Sequence, residues 1–122
     1  MREPSEVTIL IVDDDAALRK ALVFDFTRKG FQVLSAGNGK DAYELVKNQR
    51  VDLILTDVRM PGGDGVELLD RVKSLCPELP IVIFITGFTD LTIVDAYAKG
   101  VDAIFAKPFD RKMLMTAAMR AK

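Results

Sequence analysis

The chain has 122 residues, 49% of them apolar and 29% charged, with a formal net charge of −1. That balance suits one globular domain with a single real core and provides no global field to attract nucleic acid or an anionic membrane. Histidine is absent and Cys76 is the only cysteine, which excludes His-based triads, His zinc sites, phosphohistidine and an internal disulfide, so a reducing cytoplasm is the expected setting.

The opening MREPSEV lacks the apolar stretch of a signal peptide. Residues 8–12, TILIV, read as a strand buried on both faces, and Asp13, Asp14 and Asp15 follow it directly. Two like charges about 4 Å apart at an effective dielectric of about 20 repel by roughly 4 kcal/mol, so crowding them at the mouth of a core needs a reason. Leu18, Leu22 and Phe26, with Ala21 beside them, mark an amphipathic helix that Gly30 stops. A second strand at 31–35 precedes a helix started by Asn38, with Ala42, Leu45 and Val46 on one face. The third strand, 53–56, leads to Asp57, and Val66, Leu69 and Val72 then define a helix capped by Asp64 and stopped by Pro77, with Cys76 packing at its end. The fourth strand, 81–86, closes on Thr86. The apolar run that contains it, 79–87, is too short to span a bilayer. Ile93, Val94 and Tyr97 mark a further helix, capped by Thr89 or Asp90 and ended by Gly100. A fifth strand, 103–106, ends at Lys107 and Pro108. The closing helix starts near Asp110 and runs through Leu114, Ala117 and Ala118.

Strands alternating with helices five times predict right-handed crossovers, a doubly wound parallel sheet with helices on both faces, and one α/β domain of (βα)5 type. In such sheets ligands bind beyond the carboxyl ends of the strands. Asp13, Asp14, Asp57, Thr86 and Lys107 all fall on that rim. Converging carboxylates need a cation, and hard oxygen donors without His or thiolate suit Mg²⁺. A carboxylate is also a competent nucleophile toward a phosphoryl group, with metal and lysine neutralising the equatorial oxygens.

The acidic pair after the first strand, TDVRMPGGDG around Asp57, Thr86-Gly87 after the fourth strand and KPF at 107–109 together resemble the receiver domain of two-component response regulators. The likeness covers essentially the whole chain, 1–122, and implies a flavodoxin-like fold with strand order 2-1-3-4-5. By position it implies Asp57 as phospho-acceptor, Asp14 as a direct Mg²⁺ ligand, Asp13 as a ligand largely through water, and the backbone carbonyl of Arg59 as another. Lys107 would pair with Asp57 and then with the phosphoryl group, and Thr86 would move toward the phosphoryl oxygens. Pro108 would follow a cis peptide bond, and Gly62, Gly63 and Gly65 would allow the turn after Asp57. Asp15 falls outside the family pair and reads as a helix cap.

The resemblance further implies a sensor histidine kinase or phosphotransfer protein as phosphoryl donor. It implies an output domain or partner protein read through the face of the Ile93–Tyr97 segment, the fifth strand and the closing helix, and a possible phosphorylation-dependent homodimer. Met113, Met115 and Met119 offer adaptable contacts there, with core packing the expected role of two of them. No output domain is expected within these residues, and no basic helix-turn-helix is present for direct DNA binding.

Two features depart from the family pattern, and two positions that vary within it carry bulky residues. Ile104 stands where an aromatic residue is usual, and Phe105 beside it should face the opposite side of the sheet. The fourth strand carries one extra apolar residue, which a longer strand or a bulge would absorb. Phe88 and Arg59 form a bulky pair at the site entrance, expected to slow self-dephosphorylation. A metal-dependent aspartyl-phosphate phosphohydrolase is the alternative function, but Arg59 stands where such enzymes carry a second Asp. A flavin mononucleotide binder would need a glycine- and hydroxyl-rich loop where this chain has DDDAAL.

Overall fold

Thr8–Val12 (β1) has almost no polar side chain to turn toward water, and it lies in the interior of a sheet with four of its five residues buried. In the computed structural model, which describes residues 3–58, 60, 64–75, 80–86 and 100–121 with backbone alone for Thr86 and Ala121, β1 sits between β2 (Gln32–Ala36) and β3 (Leu53–Asp57). Beyond β3 come β4 (Ile81–Thr86) and β5 (Ala103–Ala106). All pairings are parallel and the order is β2-β1-β3-β4-β5, as the resemblance implies. The helices are α1 (Ala16–Arg28), α2 (Gly39–Asn48), α3 (Gly65–Leu75) and the closing α4 (Arg111–Ala121). The predicted helix around Ile93, and also Arg59, Gly62, Gly63, Cys76, Pro77 and Phe88, lie outside the described residues.

Side chains alternate along each strand and so divide the core into two layers. Leu10, Val12, Ile54, Val82 and Phe84 pack with Ala42 of α2 and with Leu68, Leu69 and Val72 of α3. Ile9, Ile11, Leu53, Leu55, Ile83 and Ile85 pack with Leu22 and Phe26 of α1 and with Leu114 and Ala118 of α4. Ile104 joins the first layer and Phe105 the second, as alternation requires. Met115 and Met119 pack against the α1–α4 layer, whereas Met113 is 63% exposed.

Three strand boundaries differ from expectation by one residue: both ends of β2, which runs 32–36 in place of 31–35, and the end of β3. Phe31 precedes β2 and does not belong to it; it is buried edge-on against Phe26, 5.8 Å between ring centroids, so its apolar character seals the end of α1. β3 runs through Asp57, because the ladder to β4 continues to an Asp57–Ile85 pairing. The extra residue of the fourth strand lengthens β4 to six residues without a bulge: the register runs unbroken from Leu53–Ile81 to Asp57–Ile85, and Thr86 pairs with Ala106.

Helix starts follow the expected caps. The Asp15 carboxylate accepts from the backbone N–H groups of Ala17 (3.0 Å) and Leu18 (3.2 Å), and the Asn38 side chain from that of Asp41 (2.8 Å). Asp64 accepts from Glu67 (2.8 Å) and Asp110 from Lys112 (2.8 Å). Gly30 and Gly100 both take positive φ, 102° and 103°, where a side chain would be strained. At the opposite end of the sheet from the rim, Asp52 accepts from the Thr8 N–H (2.9 Å) and Asp102 from the Val82 N–H (3.0 Å). These two carboxylates tie adjacent strands together where the ladders begin.

Candidate functional site

The first acidic residue past β1 is the most constrained. Asp13 is 1% exposed, and its two carboxylate oxygens have separate duties. One accepts the Asp15 backbone N–H at 2.9 Å, and the other accepts the Lys107 ammonium at 3.1 Å. Its backbone N–H donates to the Ala36 carbonyl at 3.2 Å, and its own carbonyl accepts from the Arg19 guanidinium. Asp14, next in the chain, projects into solvent.

Asp57 ends β3 and is 7% exposed, with one carboxylate oxygen 2.9 Å from Lys107 Nζ. Lys107 follows β5, joined to Pro108 through a cis peptide, and spans the rim to bridge Asp57 and Asp13 at once. Carboxylate oxygens of Asp13, Asp14 and Asp57 lie within 4.8 Å of one another. Residues 94 and 50 positions apart in sequence thus meet at one point.

Burial works against charge on both sides of this bridge. It is the main reason the Asp13 carboxyl lies above its ordinary value, with the Asp15 N–H and Lys107 pulling the other way. Burial also tends to lower Lys107, but the hydrogen bonds it donates to Asp57 and Asp13 and their negative charge together hold its ammonium above the ordinary value. The lysine is therefore a firm cation beside Asp13, whose negative charge burial makes costly.

Donor chemistry fits a hard divalent cation. Three carboxylates offer only oxygen, and a small ion with water completing its shell needs few protein ligands. Asp14 is the exposed member of the trio, whereas Asp13 already has a protein partner on each oxygen.

Sequence reasoning brought Asp13, Asp14, Asp57 and Lys107 to one rim, and the described residues bring them together. Asp15 lies beside them as the α1 cap. Thr86 ends β4 one residue beyond Ile85, the register partner of Asp57. Arg59 lies outside the described residues. Two contributors, Thr56 and Arg19, had no sequence signal assigned to them, and a third, Gly65, was expected only to allow the turn after Asp57. Thr56 is fully buried and its hydroxyl donates to the Asp57 carbonyl at 2.9 Å. Arg19 holds the Asp13 carbonyl. Gly65 donates its N–H to the Val58 carbonyl at 2.8 Å, and a Cβ there would stand 2.3 Å from the Asp57 carbonyl oxygen. Its glycine character serves close approach, not a positive φ.

A doubly wound parallel sheet carrying an acidic trio and a bridging lysine on its carboxyl rim defines a phosphoryl-signalling class of α/β domain. The chain belongs to the response regulator receiver domain family, whose model matches residues 9–119. It is thus a receiver domain of the kind found in two-component response regulators, which does not favour the phosphohydrolase alternative. It is 38% identical over 117 residues to the DNA-binding transcriptional regulator NtrC of Azospirillum brasilense, covering 96% of this chain and 24% of that protein. It is 38% identical over 103 residues to sporulation initiation phosphotransferase F of Bacillus subtilis, covering 84% of this chain and 82% of that one. The chain therefore spans about a quarter of the length of its NtrC relative and most of the sporulation protein. Among solved structures, a CheY-like response regulator receiver domain protein from Methanospirillum hungatei matches with a TM-score of 0.86 at 27% identity, covering 93% of this chain and 91% of that one. No helix among the described residues is long and apolar enough to cross a membrane.

Proposed function

We propose that Asp57 is the phospho-acceptor of this receiver, taking a phosphoryl group from phosphohistidine on a sensor histidine kinase or phosphotransfer protein. The observation that carries this reading is the Lys107 ammonium held 2.9 Å from Asp57 and 3.1 Å from Asp13, with Asp14 completing the carboxylate trio. In the transfer, an Asp57 carboxylate oxygen forms the new bond to phosphorus as the donor's phosphorus–nitrogen bond breaks. The electron pair of that bond stays with the donor imidazole. Asp14 would hold Mg²⁺ directly, Asp13 mainly through water, and the Arg59 carbonyl would contribute a further oxygen. Bound there, the ion would neutralise charge on the phosphoryl oxygens. Lys107 would pass from the Asp57 carboxylate to the phosphoryl group, and Thr86 would supply a hydroxyl donor. The output would be an altered surface on the β5–α4 side, read by an output domain, a partner protein or a second copy of the chain in the cytoplasm.

Incubation with acetyl phosphate and Mg²⁺, followed by intact-mass measurement, tests the reading. The expected result is the addition of one phosphoryl group, lost in Asp57→Asn and in the presence of chelator. Persistent single modification of Asp57→Asn would place the acceptor elsewhere.

A further inference from the structure

Arg19 is the residue of α1 whose backbone N–H closes the first helical turn, donating to the Asp15 carbonyl at 2.9 Å. Side chains on a helix lean toward its N-terminus, so this guanidinium reaches back over the turn that carries the aspartates. There it donates to the carbonyl of Asp13. Gly37, the residue after β2, lies beside it: a Cβ at that position would stand 3.4 Å from the Arg19 guanidinium nitrogen, an ordinary contact. With the Asp13 N–H already given to Ala36, both backbone polar groups of Asp13 are fixed, one by β2 and one by α1.

We propose that Arg19 is a positioning residue for the acidic pocket. By fixing the peptide between Asp13 and Asp14, it sets the direction in which the two residues present their carboxylates toward a divalent cation. The proposal rests on the pocket being the Mg²⁺ site described above. Two physical effects of removing Arg19 act in opposite directions, which makes the test sharp. Deleting the positive charge that rests on the Asp13 carbonyl would by itself favour cation binding. Releasing the peptide would loosen it, because residues that orient metal ligands typically contribute about 10- to 100-fold in affinity.

Mg²⁺ titrations by calorimetry on wild type, Arg19→Met and Arg19→Lys decide between them, with apo thermal unfolding measured alongside. The expected result is Mg²⁺ affinity weakened about 10-fold in Arg19→Met and by a smaller factor in Arg19→Lys, which keeps charge and a donor. Phosphorylation by acetyl phosphate should recover toward the wild-type rate at saturating Mg²⁺. Unchanged or tighter Mg²⁺ binding by folded Arg19→Met would overturn the proposal, as would a lowered apo melting temperature with wild-type affinity. If Arg19→Met fails to fold, Arg19→Lys with wild-type Mg²⁺ affinity overturns it equally. Failure of the wild type itself to bind Mg²⁺ would instead remove the reading of the pocket, and this proposal with it.

Discussion

Lys107 is held by carboxylates at the carboxyl ends of two strands, and its substitution reads out how strongly those carboxylates repel. In Lys107→Met, Asp13 and Asp57 remain buried without the ammonium that bridges them. With a quarter of the lysine side chain still in water, the expected loss in chelator is about 2 kcal/mol, smaller than for a fully buried pair. Added Mg²⁺ should return part of it, and urea denaturation with and without the ion measures both. The pH dependence has a definite sign. Because the folded state raises the Lys107 pKa above its ordinary 10.5, the stabilisation is complete below that value and is lost as pH rises through the raised one. Alkaline unfolding should therefore be steeper in wild type than in Lys107→Met. Thr56 and Arg19 could not be recognised from sequence, since each acts on a backbone carbonyl, and a carbonyl carries no residue-specific signal.

At the scale of elements, the junction of β1 with α1 separates the three aspartates into different roles. Asp15 caps the helix through two backbone N–H groups. Asp15→Ala should cost about 1 kcal/mol while leaving the rise in melting temperature caused by Mg²⁺ intact. Asp14→Asn should do the reverse, keeping the apo stability and losing the response to Mg²⁺. Thermal unfolding of the two variants with and without the ion separates them. This junction was legible because caps and strand ends have local signatures. β4 was only partly so. Its extra residue was visible by spacing, but only the ladder from Ile81 to Ile85 reveals that the strand lengthens and that an isoleucine stands opposite Asp57. The start of β2 misled for a related reason, since Phe31 is apolar to pack on Phe26, not to continue a strand.

Across the whole molecule, the sheet order and the two core layers follow from patterning that any reader of the sequence can trace. Val, Ile and Leu runs alternate with helical stripes, and every informative polar residue falls at a carboxyl end. What patterning leaves out is the lacing at the other end of the sheet. Asp52 reaches Thr8 across 44 positions and Asp102 reaches Val82 across 20, and nothing in either neighbourhood marks these pairings in advance. The arrangement fastens the strands at their beginnings and gathers the repelling charges at their ends. A cation that binds only the folded pocket stabilises the whole domain by mass action, about 2.7 kcal/mol at a hundredfold excess over its dissociation constant.

The close seat of Gly65 against the Asp57 carbonyl bears on how this gene can vary. Every other amino acid carries a Cβ, and 2.3 Å leaves no room for one, so size and polarity cease to matter. In a library covering every position and selected for folded protein, codon 65 should reject alanine as firmly as tryptophan. Its neighbour Asp64 should accept asparagine and serine, which can still cap α3. A flat profile at 65 beside a graded one at 64 would be the mark of a constraint imposed by space alone. Free acceptance of alanine at 65 would show that the backbone of the acceptor strand can yield.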